Sequence, residues 1–182
     1  LNIFILDKNP IKSVQYHTNK HIVKMVTETA QLISYVYHIK QEKVKPFLHK
    51  LRKSHIKHPC TIWTMQSINN FIWLCSFGIL LYNEYQYRYN QPTKHQKALK
   101  IFKYAINNLP DLPKIGMTKY ARAIKKDKYP DLLDKNKYPD IVECYREYYK
   151  RDKQSQFFKY NKKTRQFEHC WKKRSIPLWI KN

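Results

Sequence analysis

Two glycines in 182 residues leave this chain very little backbone that takes up left-handed turns without cost. Tight two-residue hairpins depend on such positions, so a large sheet of short strands is excluded. A glycine-rich phosphate loop is excluded for the same reason. The chain must build its core from helices. The expected fold is mainly α: a compact, single-domain helical bundle with a short extended segment at its N-terminus and a small β-hairpin near its C-terminus.

The hydrophobic pattern places those helices. NIFIL reads as a short strand or extended lead-in, closed by a turn through Asp7, Asn9 and Pro10. A long helix is expected from Ile11 or His17 to His38, and a second from Cys60 to Tyr89, after the break at Pro59. A third is expected near Thr93, where T-K-H-Q has the form of a capping box with Thr93 as N-cap and Gln96 at N3. Residues 1–110 form the expected helical core, and residues 111–182, rich in Lys and Tyr, are expected to pack on it. Within that second part KYPD occurs at Lys128–Asp131 and again at Lys137–Asp140, each copy an extended Tyr-Pro entry into a short helix. QFFKYNKKTRQFEHCW alternates as a hairpin turning at Asn161 to Thr164, and Trp171 and Trp179 are expected to pin the tail.

Charge constrains the partner. The formal net charge is +23, and residues 1–113 alone hold 16 Lys or Arg against five acids: Asp7, Glu28, Glu42, Glu84 and Asp111. Such an excess points to a polyanion, with nucleic acid, most plainly double-stranded DNA, ahead of an acidic membrane. The longest apolar run, FIWLCSFGILLY, is too short to cross a bilayer and reads as a core helix. LNIFILDKNP has neither a basic n-region nor a small-residue cleavage site, so an intracellular protein is expected. The four cysteines are far apart and form no CxxC, as expected of reduced, mostly buried thiols.

HIVKMVTETAQLI carries the most informative polar pattern. At 100° per residue His17, His21, Lys24, Glu28 and Gln31 share an arc of roughly 80°, while Ile22, Val26, Ala30 and Ile33 lie opposite. On spacing alone this is a solvated face with a Lys24–Glu28 pair, or a site that sets one carboxylate among basic groups. Glu84 and Arg88 form a second pair one turn apart. Tyr82, Tyr85 and Tyr89 beside them either pack internally or stack on bases. His55, His58 and Cys60, with the i,i+4 pair His17 and His21, offer zinc-ligand chemistry at a spacing that matches no strong signature. No metal and no cofactor is expected.

The blocks LDKNP, KHIVKMVTETAQLI, KHPCTIW, EYQYRYNQPTKHQ, VECYREYYK and CWKKRSIPLWI resemble a family of small viral and phage proteins described as pyrimidine dimer DNA glycosylase or endonuclease V-like. The likeness to the characterised phage enzyme is chiefly a His followed seven residues later by Glu on an early helix, here His21 and Glu28. The resemblance implies a compact helical enzyme that distorts DNA at a lesion. An amine attacks C1′ of the damaged nucleotide to give a Schiff base, and a Glu supports base loss and then β-elimination. Carried over, the amine is that of Leu1, with Lys24 as the alternative nucleophile, and Glu28 is the carboxylate. His21, Lys24, Arg52, Lys53 and Arg88 are expected on phosphates, and His17, Gln31, His58, Glu84 and Arg146 complete the DNA-binding set. The same resemblance implies a place in the cytoplasm or nucleus of an infected cell, or in the virion.

Two other readings compete. A non-catalytic DNA-binding viral protein, serving packaging, protection or virion structure, needs the charge without the carboxylate. A different base-modifying or nucleotide-processing enzyme needs a pocket for a small cosubstrate.

Overall fold

The computed structural model describes residues 1–181. In chain order the helices are α1 (Pro10–Gln15), α2 (Asn19–Lys40), α3 (Pro59–Gln66), α4 (Ile68–Tyr89), α5 (Gln96–Asn107) and α6 (Ile141–Lys153). The strands β1 (Phe158–Asn161) and β2 (Gln166–His169) follow, and α7 (Leu178–Lys181) comes last. The protein is mainly α, and an antiparallel hairpin pairs Phe158 with His169 and Asn161 with Gln166. The backbone gathers into two units, one made of Leu1–Ile3 and Lys24–Ala123, the other of Phe4–Val23 and Ile124 onward.

In the first unit α2 contributes residues 24–40. Met25, Val26, Ala30, Leu32, Ile33, Tyr35, Val36 and Tyr37 are all buried, so this stretch is covered on more than one face. The helix expected from Cys60 to Tyr89 is two helices. Ser67 takes an extended conformation after α3, and its hydroxyl accepts the N–H of Asn70, which caps α4. A serine oxygen aimed at an N-terminal amide offers the backbone an alternative to continuing the helix, and here that alternative wins. Asn70 secures the break by donating to Trp63 O at 2.7 Å and to Thr118 Oγ1 at 2.7 Å. α3 itself is opened by Pro59 at its first position, with His58 Nδ1 accepting the Cys60 N–H.

α4 ends at Asn90 in the left-handed conformation. The capping box expected at Thr93 does not form: α5 begins at Gln96, and its N-cap is His95, also left-handed. Gln96, expected to reach back to Thr93, instead donates to Tyr82 Oη and to Pro92 O. Tyr85 Oη donates to Gln91, and the His95 ring meets Tyr85 edge-on at 4.5 Å. The connector is thus tied down on the end of α4, and these contacts override the local capping signal. α5 then lies so close to α4 that a Cβ at Gly78 would stand 2.6 Å from the Phe102 ring.

In the second unit the helix expected from Ile11 or His17 is interrupted. Asn9 caps α1 through its side chain, with Pro10 at the first position, and α1 stops at Tyr16. Thr18 then opens α2: its carbonyl accepts Ile22 N–H, and its hydroxyl lies 3.4 Å from His21 N. His17 falls in the break. Residues 4–6 are extended and buried, with no ladder partner assigned among the described residues. Phe4 stacks on His21 at 4.9 Å and meets Tyr145 and Tyr149 of α6 edge-on. The two KYPD copies serve different ends. Asp140 of the second caps α6, whereas Asp131 of the first receives Arg151. Trp171 is buried and donates to Tyr16 O, which fastens the tail.

Candidate active site

Glu28 sits on α2 in the first unit and is only 9% exposed. Its Oε2 accepts the backbone N–H of Asn2 at 3.1 Å and lies 3.9 Å from the nitrogen of Leu1. Its Oε1 is 3.3 Å from Lys24 Nζ, on a side chain that is 59% exposed. One carboxylate therefore has the nitrogen of residue 1 on its buried side and the Lys24 amine on the side that reaches toward solvent.

The N-terminal segment is held at Glu28 by its own residues. Asn2 Nδ2 donates to Ala123 O at 2.9 Å, and Asn2 Oδ1 accepts the Ile3 N–H at 2.8 Å. The Cys60 thiol lies near the backbone of Ile3. Burial pushes that thiol up to about 12, so it is a neutral packing group at physiological pH.

Arg52 acts on Tyr35 and His55, two groups that also feel the charge of Glu28. Arg52 and Lys53 are exposed at the end of the long connector between α2 and α3. His55 Nδ1 shares a hydrogen bond of 3.2 Å with the Tyr35 hydroxyl, and its ring lies 6.3 Å from that of His58. Burial, and then the charge of the residue 1 amine, pulls His58 down to about 4. The same two causes, in that order, lower His55, with Arg52 adding to them and Glu28 opposing. Both imidazoles are uncharged near neutrality, which leaves Lys24 and Arg52 as the basic side chains near Glu28.

Tyr35 and Asn2 were not singled out by sequence. Tyr35 follows Glu28 by seven residues, the interval that separates Glu28 from His21, and that spacing is the signal that reaches it. Asn2 carries no comparable signal, because only the folded chain brings it to α2. His55 and Cys60 join the site as neighbours of Glu28, and no cluster of three or more His, Cys, Asp or Glu able to hold a metal occurs among the described residues.

Several residues expected on DNA have partners inside the protein. His17 and His21 belong to the second unit and are buried there. His17 Nδ1 bonds Ser13 O at 2.8 Å, and His21 Nδ1 meets the Tyr149 hydroxyl at 2.7 Å. Glu84 and Arg88 form an internal ion pair at 2.7 Å, with Arg88 0% exposed, so neither faces a phosphate. Arg146 is turned inward as well, donating to Leu6 O and to the Asp7 carboxylate. Gln31 is half-buried on α2, and His58 is half-buried as the cap of α3.

No family model matches the chain, nor does any curated protein or solved structure. No helix among the described residues is long and apolar enough to cross a membrane.

Proposed function

We propose that this protein acts on DNA at a damaged or abasic nucleotide, as a DNA N-glycosylase with AP-lyase activity of the kind its sequence resembles. The observation that carries the reading is the placement of Glu28 between the Leu1 nitrogen and Lys24 Nζ, at 3.9 and 3.3 Å. A neutral amine beside a carboxylate is the pair that imine chemistry at a sugar needs. Lys24 supplies that amine whatever precedes residue 1. The residue 1 nitrogen supplies it where the chain starts there.

The steps follow from that pair. Glu28 accepts the proton the amine must lose, and the nitrogen lone pair then attacks C1′. At a damaged nucleotide the C1′–N bond breaks and the base leaves with the proton held by Glu28; the C1′–O4′ bond then opens, O4′ taking the proton that the bound nitrogen gives up, and an imine forms between C1′ and the protein nitrogen. At an abasic aldehyde the nitrogen adds to the carbonyl and the carbinolamine loses water to give the same imine. Removal of a C2′ proton, with Glu28 as the base, drives β-elimination, and the C3′–O bond breaks with the 3′ phosphate as leaving group. Water then hydrolyses the imine and returns the amine. Arg52 and Lys53 hold phosphates beside the site.

Borohydride trapping on a labelled duplex with one abasic site tests this reading. A covalent adduct is expected from the unmodified protein. Comparison of Lys24→Gln with an N-terminally acetylated form assigns the nitrogen: the form that loses the adduct carries the nucleophile. The net charge of +23 independently favours DNA binding without chemistry. Tight, salt-sensitive binding with no adduct from any form would establish that second reading in place of the first.

A further inference from the structure

The two units differ in how they use their acids. In the second, Asp7, Asp131, Asp140, Glu147 and Asp152 are each within ion-pair distance of a Lys or Arg. In the first, Glu28 pairs with Lys24 and the residue 1 nitrogen, and Glu84 with Arg88. The connector of residues 41–58 carries six Lys or Arg against one acid, Glu42, whose carboxylate is turned to the N–H of Asp111. α5 and the three residues before it add Lys94, Lys97, Lys100 and Lys103 with no acid at all.

These two basic stretches meet. Tyr104 of α5 donates to Lys43 O, and Lys43 Nζ donates to Leu109 O, which pins the connector beside the end of α5. Between them lies an open groove of about 490 Å³, lined by Phe47, Leu99, Lys100, Lys103, Tyr104 and Asn107 among others. Phe47 meets Tyr104 edge-on at 5.3 Å, and Lys100 Nζ stands 4.6 Å above the Phe47 ring. Lys97, Lys100 and Lys103 form no ion pair among the described residues.

A cationic groove with aromatic side chains in its wall is the arrangement that takes unpaired nucleotides, because phosphates go to the lysines and any base has a face to lay on a ring. We infer that the groove between Phe47 and α5 binds a single-stranded segment of nucleic acid, with Lys100 and Lys103 on its phosphates and Phe47 and Tyr104 against its bases. The same connector runs on to Arg52, His55 and His58 at the candidate active site. The inference rests on the nucleic-acid part of the function proposed above and is independent of its chemistry.

The test is binding of a fluorescent thymidine strand of about twelve nucleotides, titrated across a salt series. Lys100→Gln/Lys103→Gln should weaken binding about tenfold and reduce the salt slope by about 1.4, the counterion release of two phosphates on a single strand. Phe47→Leu, which keeps an apolar side chain in the groove wall, should weaken it about fivefold or more without changing the slope. Lys162→Gln/Lys163→Gln, an equal loss of charge in the exposed hairpin turn, should leave both unchanged. Equal weakening by the groove pair and the hairpin pair would overturn the inference, as would no binding by the unmodified protein. Borohydride trapping on the abasic duplex at saturating protein should be unaffected by the groove variants. Loss of trapping in every form would therefore count against the chemistry and leave the groove standing.

Discussion

At the scale of single residues, Glu28 and the Glu84–Arg88 pair show opposite uses of a scarce acid. Glu28→Gln keeps the shape and the Asn2 contact but removes the base. Trapped adduct should fall at least about a hundredfold, the usual reach of general acid–base catalysis. DNA affinity, measured in parallel by anisotropy, should hold or rise, because a negative charge has left a basic site. Arg88→Ala should act on the fold instead. It takes the guanidinium away from the Glu84 carboxylate, 5% exposed, and should cost about 3–5 kcal/mol in urea unfolding. His58 gives a pH signature. Its folded value near 4 lies below its ordinary 6.5, so the unfolded chain binds the proton first and stability should fall as pH drops from 6.5 to about 4. His58→Asn retains an oxygen to cap α3 and should flatten that fall in urea midpoints taken across the same range.

At the scale of elements, closeness between helices governs what the sequence permits. Gly78 stands in the middle of α4, where glycine is a poor helix former, and the 2.6 Å approach of Phe102 to any Cβ explains its presence. Gly78→Ala should lower stability by about 1–3 kcal/mol despite its better helix propensity, which a thermal or urea melt will show. Local signals were a reliable guide where nothing tertiary opposed them. Asn9-Pro10 opens α1, Asp140 caps α6, and the hairpin turns at Asn161, whose side chain accepts the N–H of Lys163. They misled where a side chain had a competing partner. Ser67 ends one helix and caps the next, and Gln96 abandons Thr93 for Tyr82 and Pro92. Periodicity records apolar spacing, and neither of those hydrogen bonds leaves a trace in it.

At the scale of the whole molecule, the charge of +23 should make DNA binding steeply salt-dependent. Affinity should drop by more than about tenfold between 50 and 200 mM salt in an anisotropy titration, as several phosphates are neutralised. A smaller change would remove the polyanion reading altogether. Charge of this size is a property of composition and survives any arrangement of the chain. Which cations meet solvent is not. Arg88, Arg146, His17 and His21 look like phosphate contacts in a list of basic residues, and each is bound to a group inside the protein.

Sequence by itself determined the helical class, because two glycines and long apolar periods leave few other ways to bury a core. It also determined the excess of positive charge and the pairing of Lys24 with Glu28, since an i,i+4 interval on a helix places two side chains together without help from the rest of the chain. Tertiary structure alone decided that the nitrogen of Leu1 and the N–H of Asn2 lie at the same carboxylate, across 26 residues and more of intervening chain. It decided likewise that His17 and His21 turn to Ser13 and Tyr149, and that Phe47 faces α5. Those contacts depend on which buried polar groups find partners once the core has closed, a condition set by the packing of distant segments and carried by no local pattern.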